Sequence, residues 1–214
     1  GQFGHTTVAI DDAHIEVGPG MYTGGEYVIE PDASSASYPL AAAAICGGTV
    51  EVPGLGSSSM QGDASFCDVL AEMGCTALRS ERSTIVAAGD TLQGIDIDMV
   101  EQSDLVPTLA AVAMFARTPT RIRGVSFIRA KESDRLGDLC IELRRLGADA
   151  IETSDGLTIA PASLHGASLA THHDHRLAMA FGLIGLRVDG VEVEDAHVVS
   201  KSWPGYWDML EGLR

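Results

Sequence analysis

The sequence predicts an α/β fold built from three pseudo-symmetric copies of one βαβαββ unit. Three aspartates, Asp32, Asp104 and Asp174, lie 72 and 70 residues apart, and each opens an Ala-rich apolar stretch of helical length. A short β-type segment and a second helical segment follow each stretch. The period exceeds the roughly 20 to 50 residues of solenoid repeats, so the copies are expected to close into a domain.

Before the first copy, residues 1–30 alternate apolar and polar side chains, as β-strands do. Gly-containing turns separate three such segments, which are TTVAID, AHIEVG and EYVIE. The chain opens on GQFG with no cap or other start signal. We therefore expect this region to begin inside a larger protein.

In the first copy, the helix after Asp32 leads to the β-type segment TVEV and the stretch GLGSSSMQGD. This stretch is rich in Gly and Ser but lacks the G-K-[ST] of a phosphate-binding loop, so we interpret it as a turn into the next helix. Gly74 takes the place of that helix's C-cap. Two closing strands are predicted, ALRS and STIVAAG.

The second copy repeats this order, with Gly147 as the corresponding C-cap. Its β-type segments are TRIR, GVSFI, DAIETS and GLTIAP. The third copy is cut short after VEV, a predicted strand HVVS and a helix that a proline starts, PGYWDMLEGLR. Trp203, Tyr206 and Trp207 of this last segment are expected to pack together.

The composition excludes several classes of partner. A net charge of −16 repels nucleic acid and anionic membranes, so we expect neither. No signal peptide and no apolar run of membrane-spanning length is recognised, which predicts a cytoplasmic protein. The cysteines form no C-x-x-C pair and lie in apolar stretches, which predicts buried free thiols in a reducing compartment. They are Cys46, Cys67, Cys75 and Cys140.

The segment RAKESDRL contains Lys131, one of only two lysines against twelve arginines. Ser133 or Asp134 is the expected N-cap of the helix that follows, and a helix N-terminus is where anions bind. Lys131 and Arg135 are four residues apart and would share a face if the helix started early. A solvated, ion-paired helix start is the alternative, and spacing alone does not separate the two.

The segment THHDHRLAMA opens the third copy with three histidines, Asp174 and Arg176. His and Asp ligands at short spacing can hold zinc, but Arg176 would place a fixed cation beside the metal. Arginine is unfavourable at a helix N-terminus, and a carboxylate or phosphate ligand would account for it. We therefore favour an anion site over a metal site, with a solvated polar turn as the third reading.

Two further residues each allow a structural and a functional interpretation. Asp104, in SDLVPTLA, is either a helix N-cap or a carboxylate free to act as a general base. Lys201, in SKSWPGYW, is the second of the two lysines and lies directly before a helix. A lysine there is usually solvated, but its rarity in this chain favours placement for charge.

Four segments, SDLVPTLA, RAKESDR, HDHRLAMA and KSWP, resemble the 5-enolpyruvylshikimate-3-phosphate (EPSP) synthase family in their order and spacing. DASSASYPLAAAAICGGTVEVPGLGSSSMQGD resembles the family's central segment, so nearly the whole chain is covered. The resemblance implies two domains of three βαβαββ units each, with the substrates in the cleft between them. Residues 1–30 would be the tail of the other domain and the crossover, and residues 31–214 the three-repeat enolpyruvyl transferase-like domain.

The resemblance also implies an activity: transfer of the enolpyruvyl group of phosphoenolpyruvate to the 5-hydroxyl of shikimate 3-phosphate, with no cofactor and no metal. Asp104 resembles the carboxylate that binds this hydroxyl and accepts its proton. Glu132 resembles the residue implicated in proton transfer at the phosphoenolpyruvate methylene, and Lys131 a shikimate 3-phosphate ligand. Phosphoenolpyruvate ligands are implied at Arg135 and Arg176 for the carboxylate and at Lys201 for the phosphate, with His175 beside them.

The sequence departs from the family pattern in what it lacks. The family's N-terminal Lys and Arg ligands, its GNAGT-type loop and its Ser-Ser-Gln stretch are absent, so the chain carries about half of the site. Trp203 and Phe127 also differ from the commoner residues. We expect the chain to need the missing N-terminal half of the same protein and to be inactive alone.

Two other readings remain at this point. One is a non-catalytic half-module that binds ligand or only assembles with a partner. The other is a relative of the UDP-N-acetylglucosamine enolpyruvyl transferase, which shares the fold but relies on a reactive Cys in a loop. KESDR followed by HDHR favours the shikimate enzyme.

Overall fold

The computed structural model describes residues 8–213 and divides the chain into two compact units, Gly1–Glu30 and Pro31–Arg214. The first unit contains one antiparallel pair, β1 (Val8–Ile10) and β2 (Ile15–Val17), in which Ile10 lies opposite Ile15. The first two residues of the predicted strand TTVAID lie outside the described part of the chain.

The third predicted strand of this unit, EYVIE, is wrong. Residues 26–30 belong to none of the sheets that the structure describes. Val28 is 91% exposed and Ile29 is 83% exposed. An alternating pattern becomes a strand only where a neighbouring strand supplies ladder partners, and the pattern itself carries no information about that neighbour.

The second unit contains the three copies in chain order. The first consists of α1 (Ala33–Cys46), β3 (Thr49–Pro53), α2 (Phe66–Glu72), β4 (Thr76–Arg79) and β5 (Ser83–Ala87). The second consists of β6 (Asp96–Asp98), α3 (Val106–Ala113), β7 (Thr120–Arg123), α4 (Arg135–Arg145), β8 (Asp149–Glu152) and β9 (Leu157–Ala160). The third consists of β10 (Ser168–Leu169), α5 (His175–Ile184), β11 (Glu192–Val193) and α6 (Tyr206–Glu211). Short 3-10 helices precede four of the helices, at Gly62–Ser65, Val100–Leu105, Ser126–Ala130 and Ala196–Lys201.

Sheet pairing confirms the predicted βαβαββ repeat. The second copy has all its strands, in the order β6-β7-β9-β8, with β6 parallel to β7 and the remaining pairs antiparallel. The first copy has the same arrangement without the first strand, in the order β3-β5-β4. The third copy has the parallel opening pair alone, β10 beside β11. Both partial sheets are therefore subsets of the complete one.

The first helices of the three copies, α1, α3 and α5, pack against one another in the centre of the unit. Every residue of α3 is buried, as expected of a helix that is apolar on all sides. Small side chains such as Ala41, Ala110 and Ala178, each fully buried, allow this close approach. The starts of these helices carry the three repeated aspartates.

The predicted C-cap glycines are also confirmed, and they match in detail. Gly74 has a φ of +106° and Gly147 a φ of +85°, the left-handed region that favours glycine. A Cβ at Gly74 would lie 2.8 Å from the Thr91 carbonyl oxygen, and one at Gly147 would lie 2.8 Å from the Ser163 carbonyl oxygen. Any other residue would therefore be strained at the same place in both copies.

Two predicted strands are 3-10 helices instead. GVSFI lies mostly in Ser126–Ala130 and HVVS in Ala196–Lys201. In GVSFI the residues anchored in the core are Val125 and Ile128, both at 0% exposure and three positions apart, and in HVVS it is Val199 at 2%. A 3-10 turn buries one residue in three, whereas a strand would bury every second one, so β-branched composition misled the prediction.

The thiol prediction is wrong for one residue. Cys67, Cys75 and Cys140 are buried, but Cys46 is exposed because it is the last residue of α1, where the helix leaves the core. The aromatic prediction is confirmed: Tyr206 packs edge-on against both Trp203 and Trp207, with ring centroids 5.7 and 5.0 Å apart. Within residues 8–213, no helix has the length and apolar character needed to cross a bilayer.

Candidate active site

The structure brings all six predicted site residues into one network of ion pairs. Each comes from a turn or 3-10 helix that leads into a helix, or from that helix's first residues. They are Asp104 before α3, Lys131 and Glu132 before α4, Arg135 at the start of α4, Arg176 in the first turn of α5, and Lys201 before α6. A chain of net charge −16 thus concentrates four of its fourteen cations at one place.

Asp104 lies at the centre of the network. Its Oδ1 accepts from the Lys131 Nζ and from Arg135 Nη1, the latter at 3.1 Å, and its Oδ2 accepts from Arg176 Nη2 at 2.9 Å. Burial alone would raise the pKa of this carboxyl, but Lys131, Arg176 and Arg135 outweigh it and lower the pKa. Asp104 is therefore ionised at neutral pH and surrounded by donors.

Asp104 is not a helix cap, which excludes that interpretation. Asp32 caps α1 by accepting from the Ser35 amide at 2.7 Å, three residues on. At the corresponding place after Asp104 stands Pro107, which has no N–H to donate. α3 consequently begins at Val106, and the Asp104 side chain is free to face the cations.

Arg135 is completely buried and spans three carboxylates. Its Nε donates to Asp174 Oδ2 at 2.7 Å, its Nη1 to Asp104 at 3.1 Å and its Nη2 to Glu132 Oε2 at 2.5 Å. Burial works to lower its pKa, but the Asp174 bond and the neighbouring negative charges together raise it. A guanidinium serves here because its fixed fork can reach several acceptors at once.

Lys131 and Arg135 do not meet by helical spacing, so that expectation is wrong. α4 begins at Arg135, and its N-cap is Asp134, which accepts from the Gly137 amide at 3.0 Å. Lys131 precedes the helix, with its Nζ 3.3 Å from Ser103 Oγ and 5.9 Å from the centre of the Phe127 ring. The two cations meet instead because both bind Asp104.

Glu132 connects the network to its most exposed member. Its Oε1 accepts from Lys201 Nζ at 2.8 Å, and its Oε2 accepts from Arg135. The Lys201 hydrogen bond is the main cause that lowers the pKa of Glu132 to about 2. The Lys201 side chain is 60% exposed, so this corner of the site is open to solvent.

His175 lies beside the network rather than in it. It is 5% exposed, and its Nδ1 is buried without a hydrogen-bond partner among the described residues. Burial is the main cause that lowers its pKa, so the ring is neutral at physiological pH. Within residues 8–213, no three His, Cys, Asp or Glu side chains are arranged to hold a metal ion.

Sequence reasoning missed two carboxylates. The sequence suggested Asp174 as a repeated aspartate and as a possible zinc ligand, but not as a partner of Arg135. It is fully buried, caps α5 at the Arg176 amide at 2.8 Å and accepts from Arg135. Asp63 accepts from the Ser34 hydroxyl. Burial raises the pKa of this carboxyl, and the nearby positive charge of Arg176 partly opposes that rise. The Asp-His-Arg sequence around Asp174 offered a signal, but the stretch before Asp63 looked like an ordinary turn.

Taken together, the site holds four cations against three carboxylates: Asp104, Glu132 and Asp174. The charges of these side chains satisfy one another almost completely. An arriving dianion or trianion can draw the cations onto itself and leave the carboxylates less neutralised. The arrangement therefore suits anionic substrates and carboxylates whose protonation changes on binding.

Comparison with known proteins agrees with this chemistry. The family model for EPSP synthase (3-phosphoshikimate 1-carboxyvinyltransferase) matches residues 2–210 of the chain. The chain belongs to the EPSP synthase family. The alternative reading as a relative of the UDP-N-acetylglucosamine enzyme is therefore not retained.

Two curated members of the EPSP synthase family illustrate the match. The 3-phosphoshikimate 1-carboxyvinyltransferase of Methanoculleus marisnigri is 50% identical over 192 residues, which are 89% of this chain and 45% of that protein. The one of Nostoc punctiforme is 46% identical over 98% of this chain and 50% of that protein. The chain thus spans about half the length of these relatives.

Solved structures give the same result. EPSP synthase from Acinetobacter baumannii matches with a TM-score of 0.77 at 26% identity, over 97% of this chain and 51% of that one. The enolpyruvyl transferase NikO from Streptomyces tendae matches with a TM-score of 0.74 at 19% identity, which supports the fold alone. The predicted enolpyruvyl transferase-like α/β fold is confirmed.

Proposed function

We propose that this chain supplies one half of the active site of an EPSP synthase, which transfers the enolpyruvyl group of phosphoenolpyruvate to the 5-hydroxyl of shikimate 3-phosphate. The observation that supports this most is the single network in which Asp104 and Glu132 share four cations. The reaction uses two multiply charged anions, one base and one group that moves a proton at carbon, and the network contains candidates for each.

The reaction has two steps. The 5-hydroxyl oxygen bonds to C2 of phosphoenolpyruvate, the hydroxyl proton leaves to a base, and C3 gains a proton to become a methyl group. The tetrahedral adduct then loses inorganic phosphate from C2 and a proton from C3, which restores the carbon–carbon double bond. Protons balance over the cycle, so acid–base groups and fixed cations suffice.

Asp104 is assigned to the 5-hydroxyl. The three cations around it keep it ionised, which is the form that accepts a proton. Lys131, on the same carboxylate, is assigned to the phosphate of shikimate 3-phosphate. When Lys131 turns to that phosphate, Asp104 loses one of its three donors and becomes a stronger base.

Glu132 is assigned to proton transfer at C3. Glu132 is ionised at neutral pH, because Lys201 and Arg135 hold its pKa low. Phosphoenolpyruvate would attract these same cations, with Arg135 and Arg176 at its carboxylate and Lys201 at its phosphate. Their departure raises the pKa of Glu132 and allows it to carry a proton.

The missing half of the same protein is the proposed partner, and the third copy indicates one place for it. In the complete sheet, β7 pairs with β6 on one side and β9 on the other. The equivalent strand β11 pairs with β10 alone among the described residues. The strand also borders a cavity of about 330 Å³, lined by Val191, Val193, Trp207 and Leu210 among others. We propose that an apolar strand from the missing segment fills this cavity.

Without that segment the chain is a ligand-binding half-module, the second reading that the sequence left open. Its coverage of about half of each relative favours this description of the chain alone. Both readings place phosphoenolpyruvate on the same three cations, Arg135, Arg176 and Lys201. They differ only in whether turnover occurs.

The test is phosphate release from shikimate 3-phosphate and phosphoenolpyruvate. The chain is assayed alone and mixed with the N-terminal half of the Methanoculleus marisnigri relative, and association of the two is checked by size-exclusion chromatography. We expect release in the mixture alone. Release by the isolated chain would disprove the split site, and a folded, associated but silent mixture would disprove the assigned activity.

A further inference from the structure

Two consecutive histidines, His172 and His173, adopt the left-handed conformation, with φ values of +51° and +59°. Non-glycine residues rarely occupy this region, and two neighbours in it require contacts that hold them there. The pair immediately precedes Asp174 and Arg176 of the active site. The backbone of this turn therefore sets where both site residues lie.

The contacts that hold the turn are made by His172. Its Nε2 lies 2.9 Å from Glu142 Oε1, and its Nδ1 lies 3.4 Å from Asp138 Oδ1. Glu142 is only 2% exposed, and its other oxygen accepts from the Ala170 amide at 3.1 Å. A buried carboxylate thus binds the turn twice, through a side chain and through the backbone. His173 is exposed and makes no hydrogen bond that involves the described residues.

The partners of His172 share a helix face with Arg135. Arg135, Asp138 and Glu142 stand at positions i, i+3 and i+7 of α4, which places them along one side. The same turn before α5 contacts all three: His172 binds Asp138 and Glu142, and Asp174 binds Arg135. The turn before α5 therefore contacts one face of α4 at two places. The first is the pair of His172 contacts, and the second is the buried Arg135–Asp174 ion pair of the site.

We propose that His172 is a positioning residue, which anchors the 171–174 turn on α4 so that Asp174 holds the Arg135 guanidinium in its binding orientation. His172 itself touches none of the four site cations. The effect on Arg135 stands on contacts alone, whereas the effect on ligand affinity rests on the proposed function.

Arg135 provides a direct readout, because its Nε–H is buried and bonded to Asp174. Hydrogen exchange of this Nε–H is measured by NMR in the ¹⁵N-arginine-labelled chain. His172→Asn is the test variant, since Asn tolerates the left-handed region but is too short to reach both carboxylates. His173→Asn is the matched control, with the same backbone conformation and no carboxylate partner. Loss of hydrogen bonds to charged groups should speed exchange about ten-fold in His172→Asn, with His173→Asn close to the wild type.

A second pair of measurements separates positioning from general loosening. The backbone amides of Leu139, in the middle of α4, and Leu183, near the end of α5, report whether the helices themselves open. His172→Gln keeps one N–H donor for Glu142 and should restore most of the Arg135 protection. The proposal is wrong if the Arg135 Nε–H exchanges equally fast in His172→Asn and His173→Asn. It is also wrong if His172→Asn speeds exchange at both leucine amides as well as at Arg135 and His172→Gln does not restore the Arg135 protection.

Calorimetric binding of phosphoenolpyruvate to the same variants links the turn to function. Misplacement of Arg135 should raise Kd about ten-fold in His172→Asn, the equivalent of one charged hydrogen bond, and leave His173→Asn unchanged. If the wild-type chain binds phosphoenolpyruvate and His172→Asn binds it equally well, the positioning role is wrong. If the wild-type chain binds no phosphoenolpyruvate while His172→Asn still speeds exchange of the Arg135 Nε–H, the positioning role stands and the proposed function fails.

Discussion

The starts of α1 and α3 are equivalent places in the repeat, and both carry an aspartate, but the two aspartates do different things. Asp32 is exposed and binds the Ser35 amide of its own helix. Asp104 binds no amide of α3 and binds three cations from elsewhere in the chain. The third equivalent, Asp174, does both, because it caps α5 and binds Arg135.

The difference follows in part from one residue. A capping aspartate binds the amide two or three positions on, and the residue three positions after Asp104 is Pro107, which has no N–H. With that donor absent and Lys131, Arg135 and Arg176 within reach, the Asp104 carboxylate binds cations instead of its own helix. A repeat can thus acquire an active-site residue without any change in the aspartate itself.

Replacement of each aspartate by asparagine sharpens this comparison, and the largest effect is expected at Asp104. Asparagine caps a helix as well as aspartate does, so Asp32→Asn should leave the activity of the mixture unchanged. Asp104→Asn removes a proposed general base and should reduce phosphate release by about 10² to 10⁴-fold. Equal activities of the two variants would remove the functional distinction between the copies.

The next effect concerns stability and separates Asp174 from Asp32. Asp174→Asn keeps the cap but leaves buried Arg135 short of one charged partner. We expect the free energy of unfolding to fall by about 3 kcal/mol, the lower end for a broken buried ion pair, since Asp104 and Glu132 remain. Asp32→Asn should change it by less than about 0.5 kcal/mol. Urea denaturation of the chain measures both.

Acid provides a third test, of carboxylates held by cations. Glu132 has a pKa of about 2 in the folded chain against an ordinary value of 4.5, so its charge stabilises the fold fully above 4.5. That stabilisation is lost as the pH falls from about 4.5 towards 2, because the proton binds the unfolded chain more tightly. Glu132→Gln should remove about 1 kcal/mol of this pH dependence, as expected for a partly exposed pair. An unchanged slope between pH 4.5 and 2 would contradict the ion pairing.

The smallest effect tests the cause that separates the copies. Pro107→Ala restores an amide three residues after Asp104, so capping competes with the cations for its carboxylate. One cap is worth about 1 kcal/mol, which limits the expected loss of phosphate release to a few-fold. Val106→Ala removes side-chain volume beside it without adding a donor and serves as the control. A loss as large as that of Asp104→Asn would show that the cap wins, and a loss equal to the control would exclude competition.

How well the sequence predicts a structural feature depends on how local that feature is. The repeat, the Asp134 cap and the glycines at 74 and 147 follow from patterns within one or two turns, and all are confirmed. The absence of a cap at Asp104 was equally readable, since Pro107 stands three residues on. By contrast, Asp104 and Arg176 are 72 residues apart and meet only because α1, α3 and α5 pack with their starts together.

Strand predictions failed where the amino-acid composition of a segment fits two conformations equally well. GVSFI and HVVS have the β-branched residues of strands, yet the first buries Val125 and Ile128, three positions apart, and the second buries Val199. A 3-10 turn does that in a shorter length than a strand. The convergence of the charged side chains was not derivable from spacing. It was expected solely because four segments resemble a known family.

Among residues 8–213, β11 has a strand partner on one side alone, and this has a consequence for handling the protein. An accessible strand edge is a template for any other strand, including the same edge of a second molecule. Beside it lie Trp207 and Leu210, apolar groups that favour contact with a like surface. At high concentration the chain alone should self-associate through this edge, and its solubility should then report whether the proposed N-terminal segment has docked.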